Sequence, residues 1–221
     1  MGQEQWSEVD SYLAELLVPT DDALEGALKA SAEAGLPPIN VAPNQGRLLQ
    51  LVALIAGARN ILEIGTLGGY STIWLARALP AGGRLVTLEF DPRHAEVARA
   101  NLDRAGVGEM VEIRVGRALD TLPRLADESR DPFDLVFIDA DKPSTPEYVR
   151  WAVRLSRPGT VIIVDNVVRG GGVVDPDGGP DALGVRAALE VLAQDSRLSA
   201  TAVQTVGVKG YDGFAIAVRV S

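Results

Sequence analysis

Short apolar runs alternate with helical segments through most of the 221-residue chain, and this alternation restricts the possible folds more than any other feature. Five runs predict strands, at 60–64, 84–89, 111–115, 133–138 and 160–164. Helical patterns near 71–79, 92–105, 118–127 and 146–157 lie between them. The runs at 135–138 and 161–164 are apolar at every position, as in strands buried on both faces. The pattern therefore predicts an α/β fold with a mostly parallel sheet covered by helices.

Further elements are predicted on both sides of this alternation. Residues 7–34 indicate two helices separated near Pro19, with Thr20 placed to cap the second, and a third helix begins near Asn44. After a glycine-rich loop the chain predicts a helix from 180 to 192 and two strands, 198–206 and 213–219, which suit an antiparallel hairpin at the sheet edge. Because no stretch resembles a linker, we predict one domain with an N-terminal helical extension.

Composition excludes several classes of protein. The chain has no cysteine, which excludes disulfides, thiolate nucleophiles and zinc fingers, and one histidine, His94, which disfavours histidine metal sites and Ser-His-Asp hydrolysis. Any bound metal would therefore sit among oxygen ligands, as Mg²⁺ and Ca²⁺ do. A net charge of −9 disfavours nucleic-acid and anionic-membrane partners. The acidic N-terminus lacks signal-peptide features and the apolar runs are too short to span a membrane, so we expect a cytoplasmic protein.

The first predicted strand ends in a glycine-rich turn. Residues 63–71 read Glu-Ile-Gly-Thr-Leu-Gly-Gly-Tyr-Ser, and glycines at such a turn let the backbone approach a ligand closely. The spacing is G-x-x-G-G instead of the G-x-G-x-x-G of dinucleotide-binding proteins, and the P-loop Lys-Ser/Thr pair is absent from the sequence. The turn predicts either a ligand site at the carboxyl end of the strand or an ordinary strand–helix connection.

An acidic residue at the end of the second strand favours the ligand interpretation. Glu89 lies 24 positions after Gly65 (89 − 65), where a carboxylate can accept hydrogen bonds from the ribose of an adenosine. Glu63 would repel a pyrophosphate, so the acids around the turn suit an adenosine ligand without phosphates. The alternative is a surface acid at a strand end.

The fourth and fifth strands end in a third group of polar residues. Asp139-Ala140-Asp141-Lys142 follows one strand, and Asp165-Asn166 ends the other. If the two strands are neighbours, Asp139, Asp165 and Asn166 can converge on one point, because adjacent strands lie about 4.8 Å apart. Two carboxylates and an amide oxygen suit a hard divalent cation. The alternative is that these residues only cap a helix and form a turn.

Lys142 is one of three lysines, against 18 arginines (21 − 3). The chain thus uses arginine for general positive charge, which indicates that an amine is required at position 142. A lysine, unlike an arginine, can lose its proton when it is desolvated or close to a cation, and can then act as a general base. The alternative is a solvated surface lysine.

These motifs occur together and in order in a known family. The segments at 62–71, 88–91, 133–142 and 157–167 resemble the cation-dependent class I O-methyltransferases, which include the caffeoyl-CoA and catechol O-methyltransferases and their small bacterial relatives. The resemblance extends from about Val41 to the C-terminus. It implies a doubly wound, Rossmann-like methyltransferase fold with a mostly parallel seven-stranded sheet and an antiparallel C-terminal edge strand.

The resemblance also implies roles for individual residues. S-adenosylmethionine would be the methyl donor, with Glu63, Gly65 and Ser71 at its methionine end, Glu89 at its ribose, Ala118 near its adenine, and Val41, Asp139 and Asp141 as further contacts. A divalent cation, Mg²⁺ before Ca²⁺ or Mn²⁺, would be held by Asp139, Asp165 and Asn166. Lys142 would be the catalytic base, and Asp139 would share in catalysis.

The resemblance implies methyl transfer to a vicinal dihydroxy, hydroxylated aromatic small molecule by a homodimer. Within a single domain over 1–221, helices in 1–43 would serve the substrate or the dimer, and 44–221 would form the donor-binding core. Where many relatives carry a tryptophan after Asp-Asn, this chain has Arg169 followed by three glycines, which leaves the acceptor open.

Three alternatives remain. Some bacterial relatives methylate a hydroxylated wobble uridine of tRNA, and the arginine-rich segment 93–104 offers a local basic patch against the unfavourable net charge. An NAD(P)-dependent oxidoreductase has a similar fold, but the glycine spacing and the carboxylates argue against it. A non-catalytic binding module is disfavoured by the intact set of acids and lysine.

Overall fold

The computed structural model of the chain describes residues 2–19, 21–128 and 131–221. The chain divides into two compact units: residues 12–131, here called the first unit, and residues 1–11 with 132–221, here called the second unit. Strands and helices alternate as the sequence predicts, and the sheet has seven strands, mostly parallel, with antiparallel strands at the C-terminal end. The predicted fold class is therefore confirmed.

The first unit contains three parallel strands in the order β3-β2-β1. They are β1 (Asn60–Ile64), β2 (Arg84–Glu89) and β3 (Val111–Val115). Its helices are α2 (Asp22–Glu33), α3 (Pro43–Ile55), α4 (Tyr70–Ala76), α5 (Pro92–Arg104) and α6 (Ala118–Asp127), and α1 (Gln3–Leu17) begins in the second unit. Strands β1 and β2 are almost fully buried, as their apolar sequences require. The glycine turn follows the carboxyl end of β1, and Glu89 is the last residue of β2.

The second unit contains four strands in the order β4-β5-β7-β6. They are β4 (Phe133–Ile138), β5 (Ser156–Asp165), β6 (Leu198–Gly207) and β7 (Gly210–Arg219). Strands β4 and β5 pair in parallel, whereas β7 pairs antiparallel with both β5 and β6. The helices are α7 (Thr145–Arg154) and α8 (Pro180–Gln194), with short 3-10 turns at Lys142–Ser144 and Arg169–Val174. The fourth and fifth strands are neighbours, so the condition set for convergence of Asp139, Asp165 and Asn166 is met.

The structure corrects two local predictions. The helix predicted to reach residue 157 ends at Arg154, and β5 begins at Ser156 instead of residue 160. Thr160 explains the longer strand, because its hydroxyl donates to the Phe133 carbonyl oxygen (2.6 Å) and also accepts from the Arg157 N–H (3.0 Å). At the N-terminal side of α2 the cap is Asp21, whose carboxylate accepts from the N–H groups of residues 23 and 24, while Thr20 lies outside the described residues.

The close packing of α3 against α4 depends on one glycine. Trp74 of α4 is nearly fully buried, and a Cβ atom built on Gly46 of α3 would lie 2.4 Å from its ring. The helices therefore pack closely only because position 46 has no side chain. No helix in the described part of the chain is both long and apolar enough to cross a membrane.

Candidate active site

The turn after β1 adopts a backbone conformation that its glycines permit. Gly65 and Gly69 have positive φ angles of 101° and 81°, and Leu67 between them has a φ of 52°. The left-handed region is costly for a leucine, because its Cβ atom crowds the backbone. The surrounding structure must therefore hold residue 67 in place.

Glu89, the last residue of β2, holds residue 67 in place through hydrogen bonds to the turn. Its Oε2 atom accepts hydrogen bonds from the N–H groups of Thr66 (3.2 Å) and Leu67 (2.7 Å), and its Oε1 atom accepts from the Asp91 N–H (2.9 Å). The carboxylate is buried, and the Nδ1 atom of His94 lies 3.5 Å from Oε1. Glu89 thus joins the end of β2 to the glycine turn, and His94 lies beside it.

Glu63 occupies a hydrogen-bonding environment made of hydroxyl groups. Its side chain is fully buried and accepts hydrogen bonds from Ser71 (2.7 Å), Thr72 and Thr87 (2.7 Å). These hydroxyl groups hold the Glu63 side chain in a fixed orientation. Two of the residues predicted to line one ligand, Glu63 and Ser71, are therefore in direct contact.

Val41 and Ala118, the other predicted donor contacts of the first unit, belong to separate elements. Val41 is buried in the extended segment before α3, and Ala118 is the first residue of α6. The chain leading to Ala118 is tied to β2, because the Gly116 N–H donates to the Glu89 carbonyl oxygen (2.8 Å).

In the second unit, the register of β4 and β5 brings two aspartates to equivalent positions. Ile138 pairs with Val164, so Asp139 and Asp165 are the next residues on neighbouring parallel strands. Asp165 is buried, with 4% of its surface exposed, and its Oδ1 atom accepts from the Asn166 N–H (2.8 Å). Asn166 has a φ of 58°, a left-handed conformation that asparagine tolerates better than most residues.

Asp212, which precedes the β5-paired part of β7, organises the turn after Asn166. Its Oδ1 atom accepts from the N–H groups of Val168 (2.9 Å), Arg169 (3.0 Å) and Gly213 (3.0 Å). Arg169 also has a positive φ angle (55°), so this carboxylate stabilises an unusual backbone conformation in the same way as Glu89 does in the first unit.

Lys142 lies in the turn that follows β4. Its side chain is only 10% exposed, and its Nζ atom donates to Asp139 Oδ1 at 2.8 Å. The Asp139 side chain is 24% exposed, so the pair lies at the edge of the buried region, with the amine more enclosed than the carboxylate. The predicted base and one predicted metal ligand are therefore in direct contact.

Asp141 faces the following helix instead of Lys142. Burial alone would raise the pKa of its carboxyl, but hydrogen bonds from Ser144 and from the Tyr148 hydroxyl keep that pKa below its ordinary value. Asp141 is therefore ionised at neutral pH, and it caps the 3-10 turn that begins at Lys142.

No group of three or more histidine, cysteine, aspartate or glutamate side chains that could hold a metal occurs among the residues that the structure describes. The set predicted from the sequence has a different composition, with two carboxylates and one amide. Of that set, Asp165 accepts a hydrogen bond from the backbone N–H of Asn166, and Asp139 and Asp165 each follow the last paired residues of two neighbouring strands.

Sequence reasoning missed several residues that shape these sites. They are Thr72 and Thr87 at Glu63, His94 at Glu89, Tyr148 at Asp141, and Asp212 behind Asn166. Thr72 follows Ser71 directly and Tyr148 lies one helical turn into α7, so their positions could have been found from spacing. Asp212 gives no local signal, because its partners are more than 40 residues away in the chain.

The two units offer different chemistry. The first presents buried carboxylates around a glycine turn, which suits hydrogen bonding to hydroxyl or amino groups and disfavours phosphates. The second presents acids beside an amine, which suits proton transfer and the binding of a cation.

Comparison with known proteins gives consistent matches over nearly the whole chain. A family model described as O-methyltransferase matches residues 15–220. A catechol O-methyltransferase from Niastella koreensis is 53% identical over 219 residues, which cover 99% of both chains. A catechol O-methyltransferase from Mycobacterium tuberculosis is 54% identical over 220 residues, covering 98% of this chain and 99% of the relative.

A solved structure shows the same fold. An O-methyltransferase from Streptomyces achromogenes, involved in tomaymycin synthesis and solved in complex with S-adenosylmethionine, superimposes with a TM-score of 0.97. It is 54% identical, and the match covers 100% of each chain. At 54% identity, this chain and the Streptomyces protein share more than the general α/β architecture.

Proposed function

The chain belongs to the O-methyltransferase family and is an S-adenosylmethionine-dependent enzyme, and we propose that it methylates one hydroxyl of a catechol-like small molecule with the help of a divalent cation. The observation that carries the proposal is the group at the ends of β4 and β5. Asp139 and Asp165 each follow the last paired residues, Ile138 and Val164, of two neighbouring strands, and Lys142 Nζ lies 2.8 Å from Asp139. The catechol O-methyltransferase names of two close relatives support the acceptor class.

The residues of the second unit fit a hard divalent cation. We assign the cation to Asp139, Asp165 and the side-chain oxygen of Asn166, which together offer two negative charges and only oxygen ligands. Lys142 would lie beside this site through its hydrogen bond to Oδ1 of Asp139. A cation held there would supply Lewis-acid chemistry, which lowers the pKa of an acceptor hydroxyl.

The residues of the first unit fit the methyl donor, which supplies an electrophilic methyl group on a sulfonium. We assign Glu89 to the ribose hydroxyls, Glu63, Gly65 and Ser71 to the methionine end, Ala118 to the adenine and Val41 to a further contact. Buried carboxylates around the turn suit a ligand with a positive sulfonium and no phosphate. Asp139 and Asp141 are proposed as additional donor contacts.

In this proposal Lys142 accepts the proton of the attacking hydroxyl. It can do so only as a neutral amine, so Lys142 must first release one proton to solvent; its lone pair then takes the hydroxyl proton, and the hydroxyl oxygen keeps the electron pair with which it attacks the methyl group. Burial of the lysine side chain limits competition from water for that proton. General-base catalysis of this kind contributes roughly 10²- to 10⁴-fold, and the remaining rate gain comes from orientation of the reacting groups.

Two alternatives are less well supported. The family match favours methyl transfer over the hydride transfer of an oxidoreductase. For a tRNA substrate, the basic segment 93–104 offers fewer guanidinium N–H donors to a phosphate, because Arg99 donates to two backbone carbonyls and Arg104 donates to Asn101. The net charge of −9 also supports a small-molecule acceptor.

Three further expectations belong to this proposal. We propose that residues 1–221 act as one methyltransferase domain, with 1–43 serving the substrate or a dimer contact and 44–221 the donor. We also propose a homodimer, which light scattering of the purified protein would test, and a cytoplasmic location.

The proposal is tested with purified enzyme, S-adenosylmethionine and a set of matched acceptors. Catechol has vicinal hydroxyls, whereas resorcinol carries the same two groups one ring position farther apart. We expect methylation of catechol that stops after treatment with EDTA and returns with Mg²⁺, and at least roughly 100-fold less methylation of resorcinol. Equal activity on both acceptors, or full activity in EDTA, would contradict the catechol and cation assignments respectively.

A further inference from the structure

Helix α8 packs against the backbone of the segment that carries Lys142. The contact is made by Gly184, a buried residue in the first half of the helix. A Cβ atom built on Gly184 would lie 2.2 Å from the carbonyl oxygen of Lys142 and 2.7 Å from Cα of Pro143. Real Cβ atoms essentially never approach within 3.0 Å of another heavy atom, so the contact requires a glycine.

Two other glycines lie inside helices and provide a contrast. At Gly26 in α2, an added Cβ would meet the flexible Arg104 side chain at an ordinary 3.4 Å. At Gly46 in α3, the clash is with the ring of Trp74. At Gly184 the opposing atoms are backbone, which cannot move away by a change of rotamer. Because a glycine inside a helix costs about 1 kcal/mol relative to alanine, its presence at 184 indicates that close packing outweighs helix propensity.

The peptide that α8 contacts has little freedom to move. The ring of Pro143 fixes its φ angle and restricts the residue before it, which is Lys142. On its other side the same turn is capped by Asp141, which accepts from the Ser144 N–H and the Tyr148 hydroxyl. A side chain at 184 would therefore have to push the Lys142 carbonyl away by about 1 Å, a displacement that can cost roughly 100-fold in rate when it misplaces a reacting group.

We propose that Gly184 is a positioning residue for methyl transfer: it lets α8 seat on the Lys142–Pro143 peptide and thereby fixes where the lysine amine meets the acceptor hydroxyl. This inference rests on the proposed function, in which Lys142 is the base. It adds that the position of the amine is set by a helix 42 residues away in the chain (184 − 142), and that one added methyl group there disturbs the chemistry selectively.

The test compares Gly184→Ala with the matched helix variant Gly26→Ala, each with S-adenosylmethionine, catechol and Mg²⁺. We expect Gly184→Ala to lower kcat roughly 10- to 100-fold while the KM for the donor changes less than about 3-fold. Gly26→Ala should keep the kcat of the wild type. Because both variants gain the helix propensity of alanine, the difference between them isolates the contact with Lys142.

A double variant separates positioning from a general loss of structure. If Gly184 acts through Lys142, Gly184→Ala combined with Lys142→Met should be no slower than Lys142→Met alone. A further 10-fold loss in the double variant, or a kcat within about 2-fold of the wild type for Gly184→Ala, would overturn the inference. If Lys142→Met itself keeps the wild-type rate, the base assignment of the proposed function fails, and the inference fails with it.

A second variant keeps the test decisive if Gly184→Ala does not fold. Pro143→Gly adds no atom to the contact but frees the peptide on which α8 sits. We expect it to lower kcat about 3- to 10-fold at an unchanged donor KM, again with no additional loss in combination with Lys142→Met. A wild-type kcat for Pro143→Gly would contradict the inference.

Discussion

The two units of the molecule use the same kind of residue, a carboxylate at the end of a buried strand, in different ways. In the first unit Glu63 and Glu89 each accept three hydrogen bonds, from hydroxyl groups and from backbone N–H groups respectively. In the second unit Asp139 accepts from the side-chain nitrogen of Lys142. Neutral donors hold a carboxylate in place for binding, whereas an adjacent amine can exchange its partner, as proton transfer requires.

The two units also differ in how they stabilise residues with unusual backbone conformations. Leu67 in the first unit and Asn166 and Arg169 in the second all have positive φ angles without being glycine. Glu89, 22 residues away in β2, accepts a hydrogen bond from the Leu67 N–H. Asp212, in the C-terminal hairpin, accepts from the turn that contains Asn166 and Arg169. The turn proposed to bind the donor is thus built from one strand–helix–strand segment, while the turn proposed to hold the cation depends on a distant strand.

The largest expected effect comes from removing one charge in the second unit. Asp165→Asn keeps an oxygen that can accept from the Asn166 N–H, so the local turn should survive. We expect kcat to fall roughly 10³-fold, because one of two negative ligands is lost, and donor affinity to stay within a factor of two. Turnover and calorimetry of S-adenosylhomocysteine binding check both parts. Metal-dependent activity at the wild-type level would remove Asp165 from the cation site.

The next effect is expected at Lys142. Lys142→Met preserves the length and apolar stem of the side chain but removes the amine that donates to Asp139. Single-turnover methyl transfer should slow about 100-fold, while binding of donor and acceptor persists. The control is Lys209→Met, a change of the same type in the turn before β7, which should react at the wild-type rate. Equal rates for the two variants would show that Lys142 is not the base.

In the first unit the expected effect is on binding. Glu89→Ala should weaken S-adenosylmethionine by about 1–3 kcal/mol, both through lost ribose hydrogen bonds and because the N–H groups of Thr66 and Leu67 lose their acceptor. Asp91→Ala is the control, since it removes the side-chain cap of α5 two residues after Glu89 and costs about 1 kcal/mol in free energy of unfolding. Calorimetry of S-adenosylmethionine binding should show weaker binding for Glu89→Ala than for Asp91→Ala. Unchanged donor affinity in Glu89→Ala would contradict the ribose assignment.

The smallest effect is expected from Tyr148→Phe, which removes one hydrogen bond to Asp141. The pKa of Asp141 should rise toward its ordinary 3.8, because burial then acts with less opposition. Because folding lowers the pKa of Asp141, this carboxyl stabilises the folded protein above pH 3.8, and the contribution is lost as the pH falls through the pKa of the folded state. The variant should therefore lose part of this stabilisation at neutral pH. Asp21 is the internal control: burial raises its pKa and Arg77 lowers it, with a net lowering that Tyr148→Phe should not change. An NMR titration of both carboxyls measures the two values, and an unchanged Asp141 would argue against the role of Tyr148.

Much of the fold could be predicted because its signals are local. The strands at 60–64, 84–89, 111–115 and 133–138 occur where the sequence predicted them. The signal is clearest for β4, which is buried at every position and therefore leaves an almost continuous hydrophobic segment. The start of β5 was predicted too late, because Arg157, Pro158 and Gly159 are typical of a turn and the bond from Thr160 to Phe133 is invisible in the sequence. The sequence indicated no role for His94, and only the fold brings its ring to 3.5 Å from Glu89.

The sequence by itself determined the order of strands and helices, the glycine turn, and which acids end which strands, because each depends on neighbours within a few residues. The tertiary structure decided that Lys142 pairs with Asp139, that Asp212 supports the turn after Asn166, and that Gly184 lies on the Lys142–Pro143 peptide. The last two contacts join residues more than 40 positions apart. They depend on how helices and strands pack, and packing distances of a few ångströms leave no periodic trace in the order of amino acids.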